Sequence, residues 1–254
     1  MSYTMFSAFE FKRKDTYIHR LDPRTKMFMV IVFMVIALLF NNIIPLLITF
    51  IVTLIPISLA KSVKEWLNSL KGTTILLVFI LVINSFVRDL NFAIAMVLRL
   101  MVLITAFSAF FLTTHPDDLA QALIQMKVPF DFAFALSMAT RYVPTLAREA
   151  QTIMDAQMSR GLELQKGGLT QKIKNLIPLI IPLIVNSVRR ALSIAESLES
   201  RAFGAIKKRT YLYQLKLKKS DALFIIFLTS YLLLMIYIKI HFPFTIWMEW
   251  KFPL

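Results

Sequence analysis

Two short motifs carry the residues that are best suited to bind another protein, Ser159-Arg160-Gly161 and Ser200-Arg201-Ala202. Each motif places one arginine between small residues, near the end of a long segment with helical character. An arginine guanidinium presents five N–H donors that match carboxylates and backbone carbonyl groups. Small neighbours let a second surface approach the unpaired carbonyl groups of a helix end. The motifs therefore predict two docking points for a soluble partner protein.

The two motifs are part of a longer echo in the sequence, in which five positions recur after 41 residues. The repeated pairs are Arg148 with Arg189, Ala150 with Ala191, Ile153 with Ile194, Ser159 with Ser200 and Arg160 with Arg201. One interpretation is that two helices end in the same way and perform one docking task twice. The alternative is that each arginine only complements the dipole of its own helix, an effect of about 0.3–1 kcal/mol. The spacing alone leaves both interpretations open.

The sequence lacks the patterns that carry out catalysis or hold a metal ion. It contains no G-x-x-x-x-G-K-[ST] phosphate loop, no H-E-x-x-H zinc motif and no G-x-S-x-G nucleophile motif. It has no cysteine, which excludes disulfides and thiolate metal sites. Its histidines, His19, His115 and His241, are too far apart in sequence to suggest a ligand set. We therefore predict no catalytic residue, no metal site and no cofactor bound by this chain.

Two other charged features could also take part in chemistry. Asp117-Asp118 could form a carboxylate pair, but adjacent residues of a helix point about 100° apart. Both follow Pro116, and the first turn of a helix favours anions, so we interpret them as charges that stabilise a helix start. Arg99 lies in the first half of an apolar stretch, and we expect it to extend to the membrane interface or to pair with Asp89.

The composition indicates that membrane helices position these residues. Hydrophobic residues make up 57% of the chain and its mean hydropathy is +0.67, whereas soluble domains contain about 45–50% apolar residues. Only five glycines argue against a β-barrel, whose strands need frequent turns. Charge-poor stretches predict about five membrane helices, at residues 27–40, 43–60, 72–87, 91–114 and 222–238.

A basic insertion lies between the fourth and fifth of these stretches, and three helices are predicted in it. The first starts at Pro116 and ends before Pro129, and the second runs from an N-cap at Asp131 to Arg160. The third covers residues 171–203 and is amphipathic in its second half. Because its charge-free part is short and contains two prolines, we expect this helix to dip into the membrane or to lie beneath it.

Positive charges in short loops set the orientation of the predicted helices. The residues before the first helix include six lysines and arginines and the loop at 61–71 includes three, whereas the turn at Asn41 has none. By the positive-inside rule, the amino terminus and the insertion are cytoplasmic, and the tail with Trp247 and Trp250 is outside. The sequence thus divides into four membrane helices at 1–114, a basic cytoplasmic region at 115–220, and a last helix and tail at 221–254.

Six patterns, taken in chain order, resemble one family of membrane proteins. They are Leu21-Asp22-Pro23-Arg24-Thr25-Lys26, Thr113-Thr114-His115-Pro116, Arg141-Tyr142-Val143-Pro144, Ala156-Gln157-Met158-Ser159-Arg160-Gly161, Ile177-Pro178-Leu179 with Pro182-Leu183, and Ser200-Arg201-Ala202-Phe203-Gly204. Together they resemble the transmembrane T component, of the EcfT/CbiQ type, of energy-coupling factor transporters, which are ABC-type importers. The resemblance runs from Leu21 to Gly204. It implies an all-α integral membrane protein in the cell membrane of a prokaryote.

The resemblance also implies a function for the two motifs. In this family such motifs end two long coupling helices and insert into grooves on two ABC ATPase subunits, which are identical or different chains. The ATPases bind ATP, and a separate substrate-binding membrane subunit, the S component, selects the vitamin or transition-metal ion that is imported. The chain itself is then a non-catalytic scaffold in the lipid bilayer, with no nucleic-acid partner. Ser159 and Ser200 replace the usual alanine, and we expect docking to tolerate this small residue.

Three other functions fit the sequence less well. The permease of an ordinary ABC transporter usually carries E-A-A and a glycine four residues on, whereas Glu149-Ala150-Gln151 lacks the second alanine and that glycine. An intramembrane enzyme needs nucleophile or metal motifs that are absent. A membrane-anchored scaffold for anionic lipid or nucleic acid could use the basic segment 207–219. The position of that segment beside the last membrane helix makes topology the simpler explanation.

Overall fold

The computed structural model describes residues 16–162, 168–205, 215 and 217–241, except for the side chains of residues 169, 172 and 173. These residues contain no β-strand, and the predicted all-α fold is confirmed. Their helices are α1 (Pro23–Leu39), α2 (Ile43–Leu59), α3 (Val63–Val87), α4 (Leu90–Thr113), α5 (Pro116–Gln125), α6 (Phe130–Ser159), α7 (Leu169–Ser200) and α8 (Lys219–His241). The basic residues before Thr16, the segment 206–214 and the tail with Trp247 and Trp250 lie outside the described residues.

The described residues form two compact units. Helices α1–α5 and α8, with the loops between residues 16 and 128, form the bundle unit. Helices α6 and α7, within residues 129–205, form the two-helix unit. Helix α5 contacts α1 and belongs to the bundle unit, although the charge pattern placed it in the insertion. The division at 1–114, 115–220 and 221–254 concerns the sides of the membrane and stays a prediction.

Helix α1 lies at the centre of the bundle unit. Its side chains Met29, Phe33 and Ile36 are almost completely buried, and the helix contacts α2, α4, α5 and α8. It begins before the predicted residue 27, because the Asp22 carboxylate caps it by accepting the N–H of Arg24 at 2.9 Å. The charged first turn is therefore part of the helix, although a search for charge-free residues excludes it.

Helix α3 shows the same kind of extension at its start. It begins at Val63 rather than at the predicted residue 72, because the charged residues of its first turns are also helical. With 25 residues it is about 38 Å long, which is enough to cross the hydrocarbon core of a bilayer. Ile75 and Phe86 in its apolar part are 84% and 87% exposed. Such a surface is expected to face lipid or another membrane protein.

In the described part of the chain, four segments are long and apolar enough to cross a membrane: Val63–Val87, Leu90–Thr113, Lys174–Ser200 and Lys219–His241. Ile43–Leu59 is a shorter apolar helix. Four of the five predicted membrane helices correspond to these segments, namely α2, α3, α4 and α8, and the fifth is α1. Length and composition alone thus also allow α7 to span the membrane. Its two prolines and charged second half favour the predicted position, in which α7 dips into the membrane or lies beneath it, and this stays a prediction.

A charged side chain closes the end of α1. Arg99 donates from Nε to the carbonyl oxygen of Ala37 at 3.0 Å and from Nη2 to that of Phe40 at 2.8 Å. The last carbonyl groups of a helix have no partner within the helix, and a cationic side chain is a strong donor in apolar surroundings. Arg99 is therefore bonded to the end of α1, and the expected pair with Asp89 does not form.

Buried polar groups also join the starts of α1 and α8 to the end of α4. The Asp221 carboxylate accepts the backbone N–H groups of Asp22 and Lys218, both at 2.8 Å. Lys26 is 2% exposed and donates from Nζ to the carbonyl oxygen of Thr113 at 2.7 Å. Residues 21–26, which were singled out from the sequence only by their resemblance to a family pattern, thus join the three helices α1, α4 and α8.

Helix α5 begins at the predicted residue. Pro116 is its first residue, and His115 is the N-cap, with Nδ1 accepting the N–H of Asp117 at 3.2 Å. Asp117 and Asp118 lie in the first turn, where the helix dipole favours carboxylates. The predicted role of these two residues at a helix start is confirmed.

Helices α6 and α7 are the two long helices predicted in the insertion. Helix α6 begins at Phe130, so the prediction that Asp131 is its N-cap is wrong. Pro129 holds that position, with φ of −51° and ψ of 136°, and Asp131 lies in the first turn. Helix α7 continues without a break through Pro178 and Pro182. Each helix thus extends over 30 or more residues to one of the two motifs.

Candidate functional site

Helices α6 and α7 of the two-helix unit run antiparallel. Phe203, which follows α7, packs against Phe130 and Phe134 at the start of α6, with ring centres 6.1 and 5.0 Å apart. Midway along the pair, Glu149 of α6 contacts Arg190 of α7 at 2.7 Å. The start of one helix therefore lies beside the end of the other. The two predicted motifs, which follow the ends of α6 and α7, lie at opposite ends of the unit.

The first motif forms a tight turn that closes the end of α6. The N–H of Gly161 donates to the carbonyl oxygen of Met158 at 2.9 Å, and the N–H of Leu162 donates to that of Gln157 at 3.0 Å. These two bonds make a Schellman motif, in which the residue after the C-cap takes a left-handed conformation. Gly161 has this conformation, with φ of +89°, which glycine adopts without steric cost. The C-cap itself is Arg160.

The second motif closes α7 with the same two bonds, 41 residues further along the chain. The N–H of Ala202 donates to the carbonyl oxygen of Glu199 at 2.9 Å, and the N–H of Phe203 donates to that of Leu198 at 3.0 Å. Ala202 has φ of +57°, a conformation that costs a residue with a Cβ atom about 1–2 kcal/mol. The echo in the sequence therefore corresponds to an equivalence of the two helix ends in the backbone.

Arg160 and Arg201 occupy the same C-cap position, and both are exposed. Among the described residues, neither guanidinium has a hydrogen bond or an ion pair. Each guanidinium can therefore bind a carboxylate or carbonyl group of another protein. Each also lies at the negative end of its helix dipole, as the alternative interpretation requires. The two roles are compatible, and docking stays a prediction.

The two serines that precede these arginines use their hydroxyl groups locally. Ser159 donates from Oγ to the carbonyl oxygen of Asp155, and Ser200 donates to that of Ser197, both at 2.9 Å. Each hydroxyl group thus has an acceptor within its own helix and needs none from a partner. The candidate docking residues are Ser159, Arg160, Gly161, Ser200, Arg201 and Ala202, all of which are exposed.

Sequence reasoning missed a polar contact that joins α6 to α7 at a point between the two motifs. The Glu149 carboxylate accepts a hydrogen bond from Nδ2 of Asn186 at 2.9 Å and one from Nη2 of Arg190 at 2.7 Å. The Glu149 and Arg190 side chains are 18% and 32% exposed. A signal was present, because residues 149 and 190 are also 41 positions apart. A single sequence does not show that two such positions meet.

The histidines of the described region have separate structural roles. The His19 ring bonds to Thr16 Oγ1 at 2.7 Å, His115 caps α5, and His241 stacks on Tyr237 with ring centres 4.2 Å apart. Within the described ranges, no group of three or more histidine, cysteine, aspartate or glutamate residues is placed to hold a metal ion. The geometry that stands out is that of the two helix ends and of the contact between them.

Comparisons with known proteins identify the family. The family model described as CbiQ, cobalt transport protein, matches residues 14–212. An EcfT from Clostridium kluyveri, named energy-coupling factor transporter transmembrane protein, is 32% identical over 82% of this chain and 87% of its own length. Proteins of the same name from Macrococcus caseolyticus and Acidaminococcus fermentans are 31% and 34% identical. They match 89% and 82% of this chain and 95% and 87% of their own lengths.

The matched family region includes both motifs and most of the apolar helices. The apolar helices and the relatives together identify the chain as a multi-pass membrane protein and a transporter component. The chain belongs to the CbiQ/EcfT family, the transmembrane proteins of energy-coupling factor transporters.

Proposed function

We propose that the chain is the coupling subunit of an energy-coupling factor importer. In this role it transmits ATP-driven motion from two ABC ATPase subunits to a substrate-binding membrane subunit. The pair of helix ends in the two-helix unit carries the proposal, because Arg160 and Arg201 hold equivalent, exposed C-cap positions at its opposite ends. One docking point for each of two ATPase subunits is the simplest use of such a repeated feature.

The shape of the helix ends supports insertion into a groove on each ATPase. The Schellman turns already satisfy carbonyl groups at the two ends, so a partner can cover the turn without leaving those groups unpaired. The exposed guanidinium then binds carboxylate or carbonyl groups of the partner. Each motif lies about 16 Å of helix beyond the Glu149–Arg190 contact, in opposite directions, so the two motifs can reach two separate subunits. Two identical ATPases and two different ones fit this arrangement equally.

Exposed apolar side chains support contact with the substrate-binding membrane subunit. Helix α7 exposes Ile177, Ile181, Ile184 and Val188, each by more than 45%. Apolar side chains of this kind are expected to be covered by lipid or by another membrane protein. We infer that this partner, the S component, selects the substrate and that the chain itself binds none. A vitamin or a transition-metal ion is the proposed substrate class, and the family description as a cobalt transport protein fits it.

The loop charges support a position in the cell membrane of a prokaryote with the motifs in the cytoplasm. Lys61 lies in the loop between α2 and α3 and Lys64 in the first turn of α3, whereas the turn between α1 and α2 contains Asn41 and Asn42 and no charge. By the positive-inside rule, this pattern favours a cytoplasmic amino terminus and a cytoplasmic region at 115–220. ATP binding and hydrolysis then belong to the partner subunits, and this chain is non-catalytic and holds no cofactor.

Charge reversal at both motifs tests the docking role. The variant Arg160→Glu with Arg201→Glu, expressed with the ABC ATPases of an energy-coupling factor transporter that co-purify with the parent chain, is expected to lower their co-purification at least about tenfold, because each reversal sets two like charges together. Arg148→Glu with Arg189→Glu is the matched control, since these exposed arginines have the same spacing and the same change of charge. Undiminished co-purification and transport in the motif variant would show that the arginines do not dock. An equal loss in the control would assign the effect to net charge.

A further inference from the structure

Glu149 and Arg190 hold equivalent positions in the repeat that relates α6 to α7. They are 41 residues apart, as Arg160 and Arg201 are, and their side chains contact each other at 2.7 Å. When two antiparallel helices are related by an approximate two-fold axis, a residue meets its own equivalent only near that axis. The ion pair therefore marks the centre of the two-helix unit.

The positions of the motifs agree with this centre. Arg160 lies eleven residues after Glu149, and Arg201 lies eleven residues after Arg190. With a rise of about 1.5 Å per residue, each motif is about 16 Å from the ion pair along its own helix. Because the helices are antiparallel, the two arms extend in opposite directions from the pair. The two motifs thus lie at equal distances from the ion pair, on opposite sides of it.

The chemistry of the Glu149–Arg190 contact suits a point at which α6 and α7 are held against each other in one register, here called the crossing point. One oxygen of Glu149 accepts a bond from Arg190 and the other accepts one from Asn186. Charge-assisted hydrogen bonds are stronger than neutral ones and depend on direction, so they define which residues lie opposite each other. No described side chain of α7 is buried, and the aromatic contacts of Phe203 lie near the start of α6, away from this point. We therefore expect this polar contact to set the register of α6 against α7 between the two motifs.

We propose that Glu149 and Arg190 are positioning residues that hold α6 and α7 at one crossing point, so that a displacement of Arg160 is transmitted to Arg201. The inference rests on the proposed function, because it takes the motifs as the places where force enters. With a fixed crossing, movement at one motif turns both helices together. With a crossing that slides, the same movement is lost before it reaches the second motif.

The absence of cysteine from the chain allows the crossing to be measured directly. Ala156→Cys and Ser197→Cys introduce two labelling sites at equivalent exposed positions, seven residues beyond the ion pair on each helix. The distance distribution between two nitroxide labels is measured by pulsed electron paramagnetic resonance, on the full chain in nanodiscs with and without its transporter partners. A single narrow distribution is expected for the labelled parent chain.

Neutralising either member of the pair is expected to broaden this distribution. Glu149→Gln and Arg190→Gln each remove the charge that fixes the contact, while the exchanged variant, Glu149→Arg with Arg190→Glu, restores it and is expected to narrow the distribution again. Import by the reconstituted transporter is expected to fall about tenfold in Glu149→Gln at unchanged ATPase co-purification, a factor that corresponds to one lost charge-assisted hydrogen bond. The exchanged variant is expected to recover most of the import.

Glu196→Gln is the matched control, because Glu196 is an exposed glutamate of α7 and is not part of the contact. An unchanged distribution in Glu149→Gln overturns the proposal, as does an exchanged variant that is as broad as the two single variants. The outcome is separate from that of the docking test. If the proposed function fails, the motif variants retain the ATPases, while the label distances in the isolated chain still report whether the pair fixes the crossing.

Discussion

The bundle unit and the two-helix unit are stabilised in different ways. The bundle unit has an apolar core in which Phe33, Ile36 and Leu46 are at most 1% exposed, and charged side chains close its helix ends. In the two-helix unit, Ala133 is the buried residue of α6, and α7 has none among its described side chains. The contacts described between these two helices include ring contacts of Phe203 and the bonds of Glu149 to Asn186 and Arg190.

This difference indicates how the two units can divide the work of coupling. Helices gain most of their stability in proteins from burying an apolar face, and α6 and α7 bury little against each other. Their exposed apolar residues are left for lipid and for the proposed membrane partner. The bundle unit carries its own core and can serve as a fixed support.

The largest effect is expected from a substitution that creates a cavity in the bundle unit. Phe33 is 1% exposed, and Phe33→Ala is expected to lower the free energy of unfolding by about 3–5 kcal/mol, because the lost contacts are only partly replaced. Phe132 of α6 is 71% exposed, and Phe132→Ala is expected to change the free energy of unfolding by less than about 0.5 kcal/mol. Unfolding of both variants in the same detergent checks the contrast. Equal losses would show that the two units are not stabilised differently.

The next largest effect is expected at the buried carboxylate that joins α8 to the start of α1. Asp221→Ala leaves the N–H groups of Asp22 and Lys218 without their acceptor and is expected to cost about 3 kcal/mol. Asp221→Asn keeps an acceptor oxygen and is expected to cost about 1 kcal/mol. The midpoint of thermal unfolding in detergent measures both. A loss as large in Asp221→Asn as in Asp221→Ala would assign the effect to the charge instead of the two bonds.

Opposite substitutions at the equivalent positions of the two helix ends are expected to have opposite effects on stability. Gly161→Ala places a Cβ atom in the left-handed region and is expected to destabilise the end of α6 by about 1–2 kcal/mol, from the backbone alone, since no neighbouring atom lies within 4 Å. Ala202→Gly removes the same penalty and is expected to stabilise the end of α7 by about 1 kcal/mol. Hydrogen exchange of Leu162 and Phe203 N–H groups measures the two turns separately. Changes of the same sign would contradict their equivalence.

The smallest effect is expected at the serines of the two motifs. Ser159→Ala with Ser200→Ala restores the residue usual in the resembled family, and the lost hydroxyl groups bond only within their own helices. Stability is expected to change by less than about 0.5 kcal/mol, and ATPase co-purification is expected to stay the same. A clear loss of co-purification would mean that the hydroxyl groups contact the ATPases.

Features that depend on neighbouring residues were accessible from the sequence. The start of α5 at Pro116 and the turn between α1 and α2 follow from local chemistry. The predicted start of α3 is nine residues too late, because a charge-free stretch indicates which residues lie in the hydrocarbon core, whereas a helix can begin in charged residues before it. The N-cap of α6 was assigned to Asp131 because carboxylates favour both an N-cap and a first turn.

Contacts between distant residues were not accessible in the same way. Two roles are predicted for Arg99, extension to the membrane interface or a pair with Asp89, whereas it bonds to carbonyl groups about 60 residues away. Asp221 bonds to the backbone of Asp22, which is 199 residues earlier. A charge can be read from one sequence, but its partner depends on which helices pack together.

The sequence by itself determined the helical class, the apolar segments and two equivalent helix ends with an arginine at each, because these features arise within a few consecutive residues. Only the tertiary structure decided that α6 and α7 are antiparallel, which sets the motifs at opposite ends, and that Glu149 meets Arg190 between them. A repeat of 41 residues is compatible with parallel and antiparallel helices alike. The packing of α6 against α7 chooses between them, and it thereby places the two similar motifs on opposite sides of the Glu149–Arg190 contact.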